Sequence, residues 1–251
     1  METSESPATA AHKTPEPIAS RLHLAGFLLI GVAIAGLGAW AQHSQAASAP
    51  NRQLAGHSQA IPIYLTAILM DWALFYYCWA GVHRSGGSLW SLSGGRWTSW
   101  RSVAVDLAIA LPFWAVFEGA AWAASWLLDL PLFGPGSAKS VESLLPHSLL
   151  EILLWIAACV TAGVCEEMAF RGYLQRQLHA FSGSIATAVV GQGMVFGVFH
   201  GYQGWRNVIV ISVLGILFGI LAAWRKNLRV NIISHAWIDF WEGWLKFLVF
   251  R

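Results

Sequence analysis

The class of fold is indicated most clearly by residues Leu149–Arg171, with the sequence LLEILLWIAACVTAGVCEEMAFR. Apolar residues dominate as far as Cys165, over a length close to what an α-helix needs to cross the hydrocarbon core of a membrane. Two glutamates and an arginine follow with little interruption. Ionisable residues at the end of such a segment are costly in lipid, so they mark a candidate functional site by default.

The same kind of apolar segment recurs along the whole chain. Hydrophobic residues make up 56% of the 251 residues and charged residues 11%, whereas about 25% charged residues is usual for soluble domains. Lipid requires backbone groups to be satisfied within helices. We therefore expect an all-α, polytopic transmembrane helix bundle of about seven spans, which are Leu22–Ala41, Ile61–Val82, Val103–Leu128, Leu149–Cys165, Ile185–Phe199, Val208–Trp224 and Val230–Phe250.

The segment before the first span differs in composition from the rest. Residues 1–21 are rich in Ser, Thr, Ala and Pro, which predicts a disordered N-terminal tail. Residues 22–251 are then a single transmembrane helical domain, with the candidate catalytic motifs in 148–245. A cleaved signal peptide is the alternative for the first span, because Ala39-Trp40-Ala41 resembles a cleavage site. The length of the apolar run favours a retained helix.

Composition also bounds the partners. A net charge of +2 is too small to indicate nucleic-acid binding. The three cysteines, Cys78, Cys159 and Cys165, form no Cys-x-x-Cys pair, so neither a disulfide framework nor a cysteine-rich zinc site is indicated. The lipid bilayer is the expected environment. In a bacterial cell this would be the inner (plasma) membrane.

Positive charge predicts the orientation, because cytoplasmic loops of membrane proteins carry an excess of Lys and Arg. With the N-terminus in the cytoplasm and seven alternating spans, ten positive residues fall on the cytoplasmic side, namely Lys13, Arg21, Arg84, Arg96, Arg101, Arg171, Arg176, Arg225, Lys226 and Arg229. The outer side receives Arg52, Lys139, Arg206, Lys246 and Arg251.

Glu166 and Glu167 are adjacent but predicted to differ in role. Glu167 and Arg171 are four residues apart, in the order that favours a helical ion pair. Glu166 is rotated about 100° away in an α-helix. Glu166 thus lacks that partner and is available as a general base. Taken alone, a Glu–Arg pair at this spacing is more often structural than chemical.

Two later groups supply histidines. Phe196 and His200 share one helical face, and so do His235 and Asp239. A turn near Gly183 would place His200 opposite Glu166 at matching height, although the chain from Gly201 to Asn207 would then have to cross most of the membrane. Gly193, Gly197 and Gly201 form a strip of small residues that favours close helix packing.

The depth of these groups follows from the arginines nearest to them. If Arg171 and Arg229 mark the cytoplasmic interface, Glu166 and His235 each lie roughly 8–9 Å inside the membrane at 1.5 Å per residue. Other carboxylates also fall within or near the apolar runs but have no patterned partner. We expect these carboxylates to be structural, and they are Asp71, Asp106 and Glu118.

The three motifs, Glu-Glu-x-x-x-Arg, Phe-x-x-x-His and His-x-x-x-Asp in this order, resemble the CPBP family. This family comprises type II CAAX prenyl proteases and bacteriocin-processing intramembrane enzymes, also called the Abi family. The resemblance implies that Glu166 and His200 activate a water molecule. It also implies that His235 and the residue at 239 stabilise the oxyanion, with Glu167, Arg171 and Phe196 as structural support. Many members carry Asn where this chain has Asp239, so Asp239 is expected to orient His235 instead.

A metal remains an open alternative at this stage. Family members have been described both as metalloproteases and as glutamate-dependent enzymes without metal. Glu166, His200 and His235 are a plausible three-ligand zinc set with an open fourth position. No His-Glu-x-x-His pair is present, and as a ligand Glu166 would no longer be a free base. We therefore expect no tightly bound cofactor, with zinc as the possible exception.

The resemblance predicts an intramembrane endopeptidase that hydrolyses a peptide bond near the cytoplasmic membrane face. The expected partner is a membrane-associated peptide or protein substrate. Two other classes remain open, namely a non-catalytic membrane immunity or binding protein on the same scaffold and a small proton-coupled transporter. Serine and aspartyl intramembrane proteases fit less well, because the Gly-x-Ser-Gly and Gly-x-Gly-Asp motifs are absent.

Overall fold

A computed structural model describes residues 15–47, 60–128 and 146–242, with side chains described up to residue 40 in the first range. All regular structure in these ranges is helical, in the order α1 (Arg21–Ala47), α2 (Ala60–Arg84), the short α3 (Leu89–Leu92), α4 (Trp100–Leu128), α5 (Leu149–Glu166), a π-helical segment (Glu167–Leu174), α6 (Gln175–Ser182), α7 (Ile185–Phe199), a 3-10 turn (Gly201–Gln203), α8 (Trp205–Arg225) and α9 (Arg229–Phe240).

Five helical stretches are long and apolar enough to cross a membrane, and their surfaces are largely exposed as lipid-facing spans require. They are α1, α2, α4, the continuous rod from α5 to α6, and α8. The two remaining predicted spans correspond to shorter helices, since α7 has 15 residues and α9 has 12 in the described part of the chain. The all-α transmembrane bundle is therefore confirmed, with five full-length helices and two shorter ones.

The N-terminal half packs directly onto the region of the motifs. Phe27 of α1 is fully buried against the rings of Phe170, Tyr173 and Phe199. His23 of α1 joins two other elements, with its Nδ1 2.7 Å from the Tyr173 hydroxyl and its Nε2 2.9 Å from the Tyr77 carbonyl oxygen. This packing supports the retained-helix interpretation of the first span.

The end of the predicted N-terminal tail also packs on the bundle. Gln177 of α6 accepts hydrogen bonds from the backbone N–H groups of Ile18 and Ala19 and donates to the Ala19 carbonyl. Ala19 is buried. These contacts involve the last residues of the predicted tail, whose residues 1–14 lie outside the described part, so the boundary at residue 21 stays a prediction.

One end of the bundle, which we call the basic end, collects most of the positive charge. Asp106 of α4 is buried and accepts from Arg225 and Arg229 at 2.9 Å each and from the Trp97 indole at 2.8 Å. Arg176 donates to the Leu92 carbonyl at 2.8 Å. Asp106 thus ties α4 to the α8–α9 turn, as expected for a structural carboxylate.

Helices α7 and α8 form a close antiparallel pair through glycine. A side chain at Gly193 or Gly197 would collide with the backbone or side chains of α8, around Ser212 and Ile216. The predicted small-residue strip is thus confirmed for these two positions, whereas Gly201 faces Ala35 of α1. Because α8 begins at Trp205, directly after the 3-10 turn, the expected long crossing from Gly201 to Asn207 does not occur.

Candidate active site

Glu167 lies at the centre of a buried polar cluster. Its Oε1 accepts from Arg171 Nη1 at 2.7 Å and from His235 Nδ1 at 2.8 Å, and its Oε2 accepts from Asn231 Nδ2 at 3.1 Å. Both side chains of the Glu167–Arg171 pair are fully buried. The predicted ion pair is confirmed, and Glu167 joins the helix of the EExxxR motif to α9 as well.

Glu166 has a different environment, although it directly precedes Glu167 in the chain. Its Oε2 is buried and has no hydrogen-bond partner among the described residues. That oxygen lies 3.6 Å from His235 Nε2, too far for a good hydrogen bond. The side chain retains 15% exposure. The two adjacent carboxylates therefore differ in their hydrogen bonds. Glu167 accepts from three donors, whereas the buried Oε2 of Glu166 accepts from none among the described residues.

His235 connects the two glutamates. Its Nδ1–H donates to Glu167, because a carboxylate held by Arg171 can only accept. Its Nε2 faces Glu166 Oε2 and Asp239 Oδ2, each at 3.6 Å. The expectation that Asp239 orients His235 is wrong in this geometry, since Glu167 makes the short hydrogen bond and Asp239 lies on the side of the free nitrogen.

Arg171 lies in the interior and does not reach the membrane interface. Its guanidinium packs over the rings of Phe196 and Phe218, at 4.5 and 5.0 Å from their centroids, and Nη2 donates to the Gly215 carbonyl at 3.1 Å. Gly215 is ten residues before Arg225, so Arg171 lies roughly 15 Å along α8 from the basic end. The sequence estimate of depth from Arg171 is therefore wrong, and Glu166 lies deeper than expected.

His200 caps the C-terminus of α7 beside this cluster. Its Nδ1–H donates to the Phe196 carbonyl at 2.9 Å, which leaves Nε2 as an acceptor in the neutral ring. The Phe196 ring contacts both histidines, with centroid distances of 4.8 Å to His200 and 6.1 Å to His235. Among the hydrogen bonds and ion pairs of the described residues, none joins His200 to Glu166. Phe196 therefore separates the two histidines, as a supporting residue would.

The backbone changes geometry at the motif itself. The α-helix ends at Glu166, and Glu167–Leu174 continue as a π-helix whose eight residues are all buried. Gly172 within it packs against Leu228 and Leu92. π-Helical turns are rare and occur often at functional sites. The α-helical rotation assumed for the two glutamates therefore applies only up to this boundary.

The sequence did not link three residues to the motifs, although one of them, Asp71, was expected to be a structural carboxylate. Asn231 is buried and bridges Glu167 to the Phe218 carbonyl. Its position one turn before His235 on an apolar helix was a usable signal. Asp71 of α2 interacts electrostatically with Glu166, His235 and Asp239, and Tyr202 contacts the His200 ring. Neither shows a sequence pattern, because each reaches the cluster only through tertiary packing.

Metal binding by the zinc set considered from sequence stays a prediction. Within the described ranges, no three His, Cys, Asp or Glu side chains already converge as a metal site. His235 Nδ1 donates to Glu167 and His200 Nδ1 donates to a carbonyl, which leaves each Nε2 free, as in metal-binding histidines.

Comparison with known protein families tests the resemblance that the three motifs suggested. Residues 148–241 match the family model described as type II CAAX prenyl endopeptidase Rce1-like. The matched region contains all three motifs, so the resemblance inferred from them is confirmed for this part of the chain. The match and the five apolar helices together indicate an integral membrane protein whose motif region is similar to CAAX proteases.

A search of curated proteins gives a weaker relative. The uncharacterised protein YpbD of Bacillus subtilis is 28% identical over 153 residues, which cover 60% of this chain and 69% of YpbD. No solved structure matches. The similarity to the Rce1-like family therefore rests on the motif region, and YpbD, as an uncharacterised protein, indicates no activity.

Proposed function

We propose that this Rce1-like chain is an intramembrane endopeptidase that hydrolyses a peptide bond in a membrane-associated polypeptide, with Glu166 as the general base. The observation that carries the proposal is the contrast between the glutamates. Glu167 accepts three hydrogen bonds, whereas the buried Oε2 of Glu166 accepts none among the described residues and faces His235. A base needs a lone pair that no other donor occupies.

The proposed reaction begins with proton abstraction. Glu166 takes a proton from water as the water oxygen attacks the carbonyl carbon of the scissile bond. His200 Nε2, an acceptor in the neutral ring, shares this role from the end of α7. Glu166 then returns the proton to the leaving amine nitrogen as the carbon–nitrogen bond breaks, so that both products leave as a carboxylic acid and an amine.

His235 stabilises the tetrahedral intermediate in this scheme. Because Nδ1–H donates to Glu167, His235 can donate to an oxyanion only through a protonated Nε2. Glu166 and Asp239 both face Nε2 and favour that proton electrostatically. Glu167, held by Arg171 and Asn231, positions the imidazole. Donors aimed at developing charge in a dry site are typically the largest single contribution to catalysis.

The proposed location of the chemistry is inside the membrane, near the depth of the Arg171 guanidinium, which lies roughly 15 Å along α8 from the basic end. The resemblance leaves open whether the substrate is prenylated. If the source is bacterial, we expect the substrate to be a peptide or a membrane protein. No step of the scheme uses a metal ion.

The test is cleavage of membrane-associated peptides, with and without a C-terminal prenyl group, by the purified full chain in detergent. Wild type should cleave one of them. Glu166→Ala should abolish cleavage, and His235→Ala should leave a residual rate about 10²–10³ lower than wild type, as for loss of one oxyanion donor. Glu118→Gln is the matched control, because Glu118 lies in α4 and accepts from Trp114.

Four results would contradict the proposal. Equal rates for wild type and Glu166→Ala would assign the activity to other residues or to a contaminant. Cellular protection by a Glu166 variant that cleaves nothing would indicate a binding or immunity protein, and proton flux in liposomes without cleavage would indicate a transporter. One equivalent of zinc, lost together with activity under chelation and restored on readdition, would replace the metal-free scheme.

A further inference from the structure

A pocket of about 880 Å³ opens at the basic end, away from the polar cluster. Its lining combines two indoles and an aliphatic side chain with two arginines, which are Trp90, Trp97, Ile232, Arg96 and Arg229. The volume lies near the upper end of the range for small-molecule sites. The pocket is therefore large enough for a ligand with both a polar and an apolar part.

Charge in and beneath the pocket favours an anion. Two guanidinium groups, those of Arg225 and Arg229, bind a single carboxylate, Asp106, and a third arginine, Arg96, lines the pocket. Asp106 is fully buried and already accepts from Arg225, Arg229 and the Trp97 indole. Arg96 is exposed and bonds to Arg229 only through its backbone carbonyl, at 3.3 Å. The lining formed by the described residues contains no Asp or Glu, and Asp106 beneath it supplies one negative charge against these three arginines.

The aromatic residues indicate the level of the membrane at which the ligand lies. Trp90 is 65% exposed and Trp97 44% exposed, at the end of the bundle where the charged residues gather. Indole rings favour the headgroup region of a bilayer. Basic pockets between membrane helices on the cytoplasmic side recognise anionic headgroups. We propose that this pocket binds an anionic phospholipid, with its phosphate at Arg96 and Arg229 and its glycerol and upper acyl chain against Trp90, Trp97 and Ile232.

The position of the pocket connects a bound lipid to the helix that carries His235. Arg229 begins α9, and Ile232 lies one turn before His235 on the same helix. The lipid would therefore contact α9 from the basic end without touching the polar cluster. The proposal does not depend on the reaction assigned to that cluster.

The experiment is native mass spectrometry of the full chain in detergent, titrated with phosphatidylglycerol and, separately, with phosphatidylcholine. Wild type should bind phosphatidylglycerol more tightly. Arg96→Gln should weaken it about five-fold, the equivalent of about 1 kcal/mol per basic residue near a membrane surface. Trp90→Ala, another exposed position, should weaken both lipids. Arg101→Gln makes the same charge change at an exposed position outside the lining and should alter binding less than two-fold.

Other outcomes would overturn the proposal. Equal losses for Arg96→Gln and Arg101→Gln would assign binding to the general charge of this end. Competition by soluble glycerol phosphate at the same concentration as the lipid would identify a free phosphate site. Displacement of phosphatidylglycerol by an acidic peptide at lower concentration than by other lipids would identify a peptide site. Equal affinity for the two lipids would exclude selection by charge.

Discussion

At the scale of the residue, two neighbouring glutamates acquire different chemistry from their surroundings alone. Glu167 is enclosed by donors from its own helix and from α9, and removal of either partner would leave a buried charge without compensation. Glu166 lies 3.6 Å from the Nε2 atom of His235, and Asp239 approaches the same nitrogen at the same distance. The Glu-Glu pair therefore combines a structural residue with a candidate base in two consecutive positions.

Asp239 provides a test at this scale, because the family resemblance implies Asn as the usual residue at this position. Asp239→Asn replaces a carboxylate by an amide that can donate to an oxyanion. It also removes one of the two carboxylates that face His235 Nε2. We expect cleavage to persist within about ten-fold of wild type, whereas Asp239→Ala should lose more. A kcat for Asp239→Asn as low as that of Asp239→Ala would show that the negative charge itself is required.

The sequence predicted the Glu167–Arg171 pair because a four-residue spacing reports a local contact. It could not predict the hydrogen bond from His235 to Glu167 or the role of Asn231, since these residues are more than sixty positions away. The assignment of Asp239 as the partner of His235 was wrong for the same reason. A spacing of four residues in a helix brings Asp239 close to His235, but the short hydrogen bond of His235 goes to Glu167 on another helix.

At the scale of the element, helix geometry and glycine spacing place the motifs. The π-helical segment begins between the two glutamates and is buried throughout, and no residue pattern in the sequence indicates it. The glycine strip was readable, because small residues at four-residue spacing predict close approach. Gln192 uses this approach by donating to the Gly215 carbonyl at 2.8 Å. Arg171 donates to the same oxygen, so the α7–α8 contact also holds the ion pair.

A bulkier residue at Gly197 tests this contact. Its new side chain would meet Ser212 and the Val208 carbonyl, so Gly197→Val should separate α7 from α8 and destabilise the fold by about 1–3 kcal/mol, as overpacking commonly does. Gly119→Val is the matched control, because a Cβ at Gly119 has nothing within 4 Å. Thermal unfolding in detergent measures both. Equal Tm values for the two variants would contradict the proposed packing.

At the scale of the whole molecule, charge is separated between the two ends. Among the described residues, the basic end carries Arg21, Arg84, Arg96, Arg101, Arg176, Arg225, Lys226 and Arg229, as the charge distribution predicted. Arg171 does not belong with them. The first half of the chain predicted only generic membrane helices, yet α1 and α2 pack on the π-helical segment. Contacts between distant apolar faces carry no local signature.

Topology follows from this separation. The segment Arg84–Arg101 should be cytoplasmic and Pro131–His147 external, where 131–145 lie outside the described residues. A membrane-impermeant maleimide added to intact cells should label a single cysteine in the second segment only. The native cysteines are buried, so background labelling should be low. Labelling of the first segment from outside would invert the orientation and move the basic end to the outer face.

The central claim is that Glu166 performs the chemistry while Glu167 holds the site together. The most direct measurement compares Glu166→Gln and Glu167→Gln for both folded yield and rate of cleavage per folded molecule. Glu166→Gln should fold like wild type and show no detectable cleavage. Glu167→Gln should lose stability, since breaking a buried ion pair costs roughly 3–5 kcal/mol. A misfolded Glu166→Gln beside a stable, inactive Glu167→Gln would reverse the two roles.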